Sequence, residues 1–211
     1  MTLAKLALEL NLSHPAGHGL PPLVLLSDSL RLPDPMAAAA LLPSGSAVIL
    51  RNYDDPGRAQ LAARLAPLCR HRRLILLVAG DGRLAARVGA QGVHFPEALA
   101  CRARAWRRRR PDWLITVAAH SGRALARAAR AGADAALLGP VFATPSHPEA
   151  RPLGVLRFAA LCRRSPLPVY AVGGIDECHA RRLKASGAAG LAAIGALSRA
   201  PGHRRRGPDG A

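Results

Sequence analysis

From residue 23 onward, short apolar runs alternate with longer segments in which apolar positions recur every three or four residues. The short runs predict strands at residues 23–27, 47–51, 74–79, 92–95, 114–118, 135–138, 168–172 and 190–194. Several, LILLV and VYAV among them, are apolar without interruption, as in strands covered on both faces. The segments between them have helical spacing. In residues 56–70, Leu61, Leu65 and Leu68 share one stripe and arginines lie opposite. The phrases RAGADAALLG and ASGAAGLAAIG echo one another, each a helix end, a glycine, a small-residue turn and a buried strand.

Eight strands with helical crossovers in roughly 200 residues make a single (β/α)8 TIM barrel. An open, doubly wound sheet would usually carry fewer strands, and no GxGxxG follows the first one. The barrel is expected over residues 23–200. Residues 1–22 are an N-terminal extension, either a helix across the barrel bottom or a loose segment. Residues 201–211, polar and broken by Gly and Pro, are expected to be a disordered basic tail.

Composition changes this picture only slightly. Half the residues are apolar but only 3% are aromatic, so Ala, Leu and Val must fill the core. The formal net charge is +17, and every basic residue except Lys5 and Lys184 is arginine. Clustered arginine suits phosphate, yet an excess of Ala, Arg, Gly, Leu and Pro is also what GC-rich coding produces. The densest run, residues 107–110, lies between Trp106 and Trp113 and reads as the solvated end of a helix. Stacking on exposed tryptophans would be needed before nucleic acid became a partner, and charge alone does not make that case. The four cysteines lack CxxC or zinc spacing, and three of them fall in helical patterns, where a small buried thiol is ordinary. No apolar run approaches the ~20 residues of a membrane helix. No secretory signal opens the chain, so a cytoplasmic location is expected.

In a barrel, function sits in the loops at the C-terminal ends of the strands. Gly173-Gly174-Ile175 after strand seven and Ile194-Gly195-Ala196 after strand eight would expose backbone N–H groups as a phosphate cradle. The long loop after strand six, residues 139–148, offers Thr144, Ser146 and His147 as polar donors over a substrate. His120 follows strand five and Arg51 ends strand two; Asp28, Asp81 and Glu97 are the acidic rim residues.

The segments VGAQGVHFPE, TVAAHS, AGADAALLGPVFATPSHPEARPLG, LPVYAVGGID and ASGAAGLAAIGAL resemble the thiamine phosphate synthase and TenI superfamily over residues 23–197. The GPVF-x-TP loop paired with a VGGI turn is the specific part. The resemblance implies joining of a pyrimidine pyrophosphate to a thiazole phosphate, with Mg²⁺ assisting pyrophosphate departure. It also implies that Gly173, Gly174, Ile194 and Gly195 form the phosphate cradle, with Thr144 beside it.

The pyrophosphate end departs from the pattern. Of the family's Gln-x-Arg-x-Lys only Arg51 remains, the other positions being Ile49 and Tyr53. The family's Asn-Asp pair falls on Ala79 and Gly80, with Asp81 one place late, and the second metal Asp falls on Leu99, near Glu97. The loop Lys is His147, and the Ser before the rim His is Ala118. Mg²⁺ wants hard oxygen ligands, which leaves Asp81 and Glu97 as substitutes. The metal-independent TenI tautomerases are the second relative, but their catalytic His aligns with Pro140. The reading is therefore a protein of thiamine biosynthesis that binds a thiazole or thiamine phosphate monoester and acts as a transferase through Arg51, His120 and His147. The alternatives are a metal-independent isomerase using His120, a binding pseudoenzyme, and last an arginine-rich nucleic-acid binder.

Overall fold

The structure, a computed structural model, describes residues 1–17, 19–144 and 149–197. Eight parallel strands close on one another in chain order. They are β1 Leu23–Leu26, β2 Ala47–Leu50, β3 Ile75–Ala79, β4 Gly92–Phe95, β5 Leu114–Ala119, β6 Ala135–Leu138, β7 Val169–Val172 and β8 Gly190–Ala193. Their helices are α2 Met36–Ala40, α3 Arg58–His71, α4 Gly82–Val88, α5 Arg102–Arg109, α6 Gly122–Arg130, α7 Gly154–Arg163 and α8 Glu177–Arg181. Every strand begins and ends within one residue of the bounds expected from the sequence. The apolar runs allow this because both faces of each strand are covered.

Three helices are started by side chains at the strand ends. Asp81 Oδ1 accepts from Leu84 N at 2.8 Å, Ser121 Oγ from Ala124 N at 3.2 Å, and Asp176 Oδ1 from His179 N at 2.7 Å. Each satisfies an N–H that the first helical turn leaves open. The core is largely Ala, Leu and Val, with Phe95, Phe158 and Tyr170 as its largest buried side chains. In α3 the buried stripe runs through Leu61, Leu65 and Cys69, and Leu68 is only partly covered.

A helix, α1 (Leu3–Ser13), precedes the barrel and packs against α8, β8 and β1. Leu3, Leu6, Ala7 and Leu10 are its buried face. Asn11, also buried, donates to the carbonyls of Ala189 at 3.0 Å and Leu20 at 3.3 Å. Tyr170 Oη reaches the Pro21 carbonyl at 2.7 Å. The connection from α1 into β1 is thereby tied to the N-terminal end of the strands.

The arginine run at the end of α5 is not simply solvated. Arg107 donates to the carbonyls of Gly132, Pro111 and Trp113 and pairs with Asp134. It staples the loops at the barrel bottom. Trp113 is buried and stacks on the half-buried Trp106 with ring centroids 5.3 Å apart. The tryptophans bury each other, so the exposed platform that nucleic-acid stacking requires is missing from this helix. Of the four free thiols only Cys69 is buried; Cys162 is half-buried, and Cys101 and Cys178 are exposed. Among the described residues no helix is long and apolar enough to cross a membrane.

Candidate active site at the barrel mouth

The loops after β6 and β7 are laced together. Val141 N donates to Val172 O at 2.9 Å, and Phe142 N to Gly173 O at 3.1 Å. Gly173 and Gly174 have φ of +93° and +64°. A Cβ on Gly173 would lie 2.6 Å from Pro140 Cβ, and one on Gly174 would lie 2.5 Å from the Ala143 carbonyl. Both positions therefore require glycine on two counts, backbone conformation and close approach. His179 of α8 fixes this turn further. Its Nδ1 donates to Gly174 O at 2.7 Å, and its ring stacks on Phe142 with centroids 4.2 Å apart. Arg182 covers the Phe142 ring at 5.3 Å. Ile194 is buried, so it can serve a ligand only through its backbone, while a Cβ on Gly195 would meet no atom within 4 Å. Thr144 closes the described part of the β6 loop; Ser146 and His147 lie outside the described residues.

The opposite side of the mouth, after β1 and β2, is a polar network. Ser27 Oγ donates to Asn52 Oδ1 at 2.5 Å and accepts from Arg51 N at 2.7 Å. Asn52 in turn donates to Pro33 O at 3.0 Å. Arg51 Nη2 meets Asp28 Oδ2 at 3.1 Å, and Arg31 takes the same oxygen at 2.7 Å. Burial pushes the Asp28 carboxyl up, but hydrogen bonds and charge from Arg31 more than offset it and hold the group at about 2. The Arg51 charge also reaches His94 of β4, which is buried and shares a 2.9 Å bond between Nδ1 and Thr116 Oγ1. Burial first, and Arg51 second, hold His94 down at about 3.

Next to this network, Arg58 at the start of α3 donates through Nη2 to the Ala79 carbonyl, and at 3.5 Å to Leu50 O. Its guanidinium covers the Tyr53 ring at 5.5 Å. Sequence reading did not single out Arg58. Nothing in its neighbourhood along the chain marks it, and the contacts arise only when α3 folds back on β2 and β3.

After β4 and β5, Glu97 gathers three donors. Its Oε2 accepts from His120 N at 3.0 Å and His120 Nδ1 at 2.7 Å, and its Oε1 accepts from Arg127 at 2.6 Å. The carboxylate holds the exposed His120 ring in one orientation and, in the neutral ring, leaves Nε2 as the accepting nitrogen. Asp81 is turned to capping α4. With Asp28 on two arginines, Glu97 on His120 and Arg127, and Asp81 on a helix cap, these carboxylates do not fit a Mg²⁺ site. Among the described residues no three His, Cys, Asp or Glu side chains gather where they could share a cation.

A family model described as thiamine monophosphate synthase matches residues 29–197 of this barrel. The chain belongs to the thiamine monophosphate synthase family. It is 37% identical to the thiamine-phosphate synthase of Thiobacillus denitrificans, over 79% of this chain and 81% of that protein. It is 39% identical to the bifunctional thiamine biosynthesis protein ThiM/ThiE of Symbiobacterium thermophilum, over 69% of this chain, and it spans only 31% of that longer protein. Among solved structures, thiamine phosphate pyrophosphorylase from Pyrococcus furiosus superposes with a TM-score of 0.70 at 25% identity, covering 85% of this chain and 88% of that one.

Proposed function

We propose that this family member works in the cytoplasm on a small phosphate ester of thiamine assembly, binding a thiazole or thiamine phosphate monoester through the loops after β7 and β8. The observation that carries this reading is the turn at Gly173 and Gly174, locked by the β6 loop on one side and His179 on the other. Rigid backbone N–H groups at a barrel's β7/β8 corner suit a monoanion, because they need no reorganisation when the ligand arrives. Thr144 adds a hydroxyl at the edge of the same corner, with Ser146 and His147 following it in sequence.

The reaction we assign is that named for its relatives, formation of thiamine phosphate. The C–O bond from the pyrimidine carbon to the diphosphate breaks, the same carbon bonds to the thiazole, and the diphosphate leaves with the electron pair. Arg51, tied to Asp28 through one nitrogen, retains other N–H donors for the anion.

A second reading has its own observation. His120 oriented by Glu97 is the arrangement of a general base, which favours proton transfer within a bound thiazole phosphate. One experiment separates the two readings. Purified protein is incubated with thiazole phosphate and pyrimidine pyrophosphate, with and without EDTA, and products are followed by mass spectrometry and NMR. Thiamine phosphate supports the transferase, an isomerised thiazole phosphate supports the second reading, and absence of binding to either phosphate ester refutes both.

A further inference from the structure

The resemblance implies that the family's Asn-Asp pair after the third strand corresponds to Ala79 and Gly80 of this chain. In the folded chain a guanidinium occupies that place. Arg58 Nη2 donates to the Ala79 carbonyl, so the cation is fixed on the very backbone position from which the family's ligands would project. The Leu50 carbonyl, one residue before Arg51, is its second acceptor. Two strand ends therefore hold the cation in position.

A guanidinium has five N–H donors. Those of Nη2 point at the two carbonyls, while Arg58 Nε is buried and has no hydrogen-bond partner. Arg51 repeats the arrangement. Its Nη2 is spent on Asp28, and its Nε is likewise buried and unpartnered. Beyond these, each guanidinium has an Nη1 with no hydrogen-bond partner among the described residues, and the two groups sit at adjoining strand ends where one anion can accept from both. Tyr53 is close to both arginines. Its ring is under Arg58, and both charges act on its hydroxyl. Two carboxylates share this corner: Asp28 pairs with both Arg51 and Arg31, and Asp81, which caps α4, acts on Arg58 through its charge.

We propose that Arg58, with Arg51 and Tyr53, forms a metal-independent site for a diphosphate group at the β2/β3 rim, its fixed guanidinium replacing the divalent cation. This rests on the transferase reading only for the identity of the diphosphate ester; the anion site stands on its own residues. Arginine suits the role because its planar fork grips phosphate oxygens bidentately and its charge does not titrate.

The test is calorimetric titration of the full chain with inorganic pyrophosphate, in EDTA and again in Mg²⁺, for the wild type, Arg58→Gln and Arg58→Lys. Pyrophosphate should bind in EDTA, and Arg58→Gln should weaken it about tenfold or more. Arg58→Lys should retain part of the affinity. Thiazole phosphate titrated in parallel should bind all three proteins alike. On the wild type alone, phenylglyoxal labelling read by mass spectrometry should show pyrophosphate protecting Arg58 and Arg51, which keeps the test open should Arg58→Gln fold poorly. Pyrophosphate binding that appears only with Mg²⁺, equal affinity in Arg58→Gln, or unprotected Arg58 would each overturn the proposal. Pyrophosphate binding without thiazole phosphate binding would instead uphold this site and sink the transferase reading.

Discussion

Glu97 accepts two hydrogen bonds from His120, from its backbone N–H at 3.0 Å and its ring Nδ1 at 2.7 Å. A residue on the turn after β4 thus sets both the chain path and the ring orientation of a residue after β5. If His120 moves a proton, His120→Ala should lower that turnover by about 10²-fold or more. Glu97→Gln should cost less, because the amide can still accept from the backbone while losing charge. EDTA should change neither rate. Steady-state turnover of the wild type and both variants, each with and without EDTA, checks this, and a chelator effect lost in Glu97→Gln would instead make Glu97 a metal ligand.

The two glycine corners should respond differently to a methyl group. Gly174→Ala forces a positive φ on alanine and drives Cβ to 2.5 Å from the Ala143 carbonyl. We expect a loss of about 1–3 kcal/mol in urea unfolding. Gly195→Ala meets no neighbour within 4 Å and should unfold like the wild type. Its effect should be confined to thiazole phosphate affinity. Unchanged affinity in Gly195→Ala would remove that residue from the cradle.

His94 gives stability a defined pH dependence. Its folded pKa of about 3 lies below the ordinary histidine value of 6.5, so the unfolded chain takes up a proton that the folded chain refuses. Stability from this group is therefore full above pH 6.5 and is lost as pH falls below it. The slope should approach ~1.4 kcal/mol per pH unit. Urea midpoints at pH 7, 6 and 5 should fall in the wild type, and His94→Gln should flatten the trend. Parallel trends in both proteins would assign the effect elsewhere.

Asn11 is the lock on the N-terminal helix. Asn11→Ala removes the donor to the buried Ala189 carbonyl, at a cost of about 1–3 kcal/mol. Hydrogen exchange should accelerate first across residues 3–13 if α1 is held there. Uniform acceleration over the whole barrel would show that α1 and the strands open as one unit.

How much of this was legible beforehand differs by level. Strand bounds were readable to within a residue because a strand covered on both faces is mostly apolar, a local property that the buried His94 of β4 and Thr116 of β5 do not erase. The glycine turn after β7 was readable too, since Gly173-Gly174 follows an apolar run and only glycine tolerates such a turn. Arg107 was misread as solvated. Its partners at Gly132 and Asp134 lie 25 and 27 residues away, and only the return of the chain through β5 and α6 brings them together.

By itself, then, the sequence determined the period of each segment, hence eight strands and their helices, and the family to which the pattern belongs. Tertiary structure alone decided which polar side chains meet: Asn11 with Ala189, Glu97 with His120, and Arg58 with Ala79. The reason is physical. Periodicity is written in near neighbours, whereas a hydrogen bond across loops depends on barrel closure and strand register, which bring together donors and acceptors from 21 to 178 residues apart.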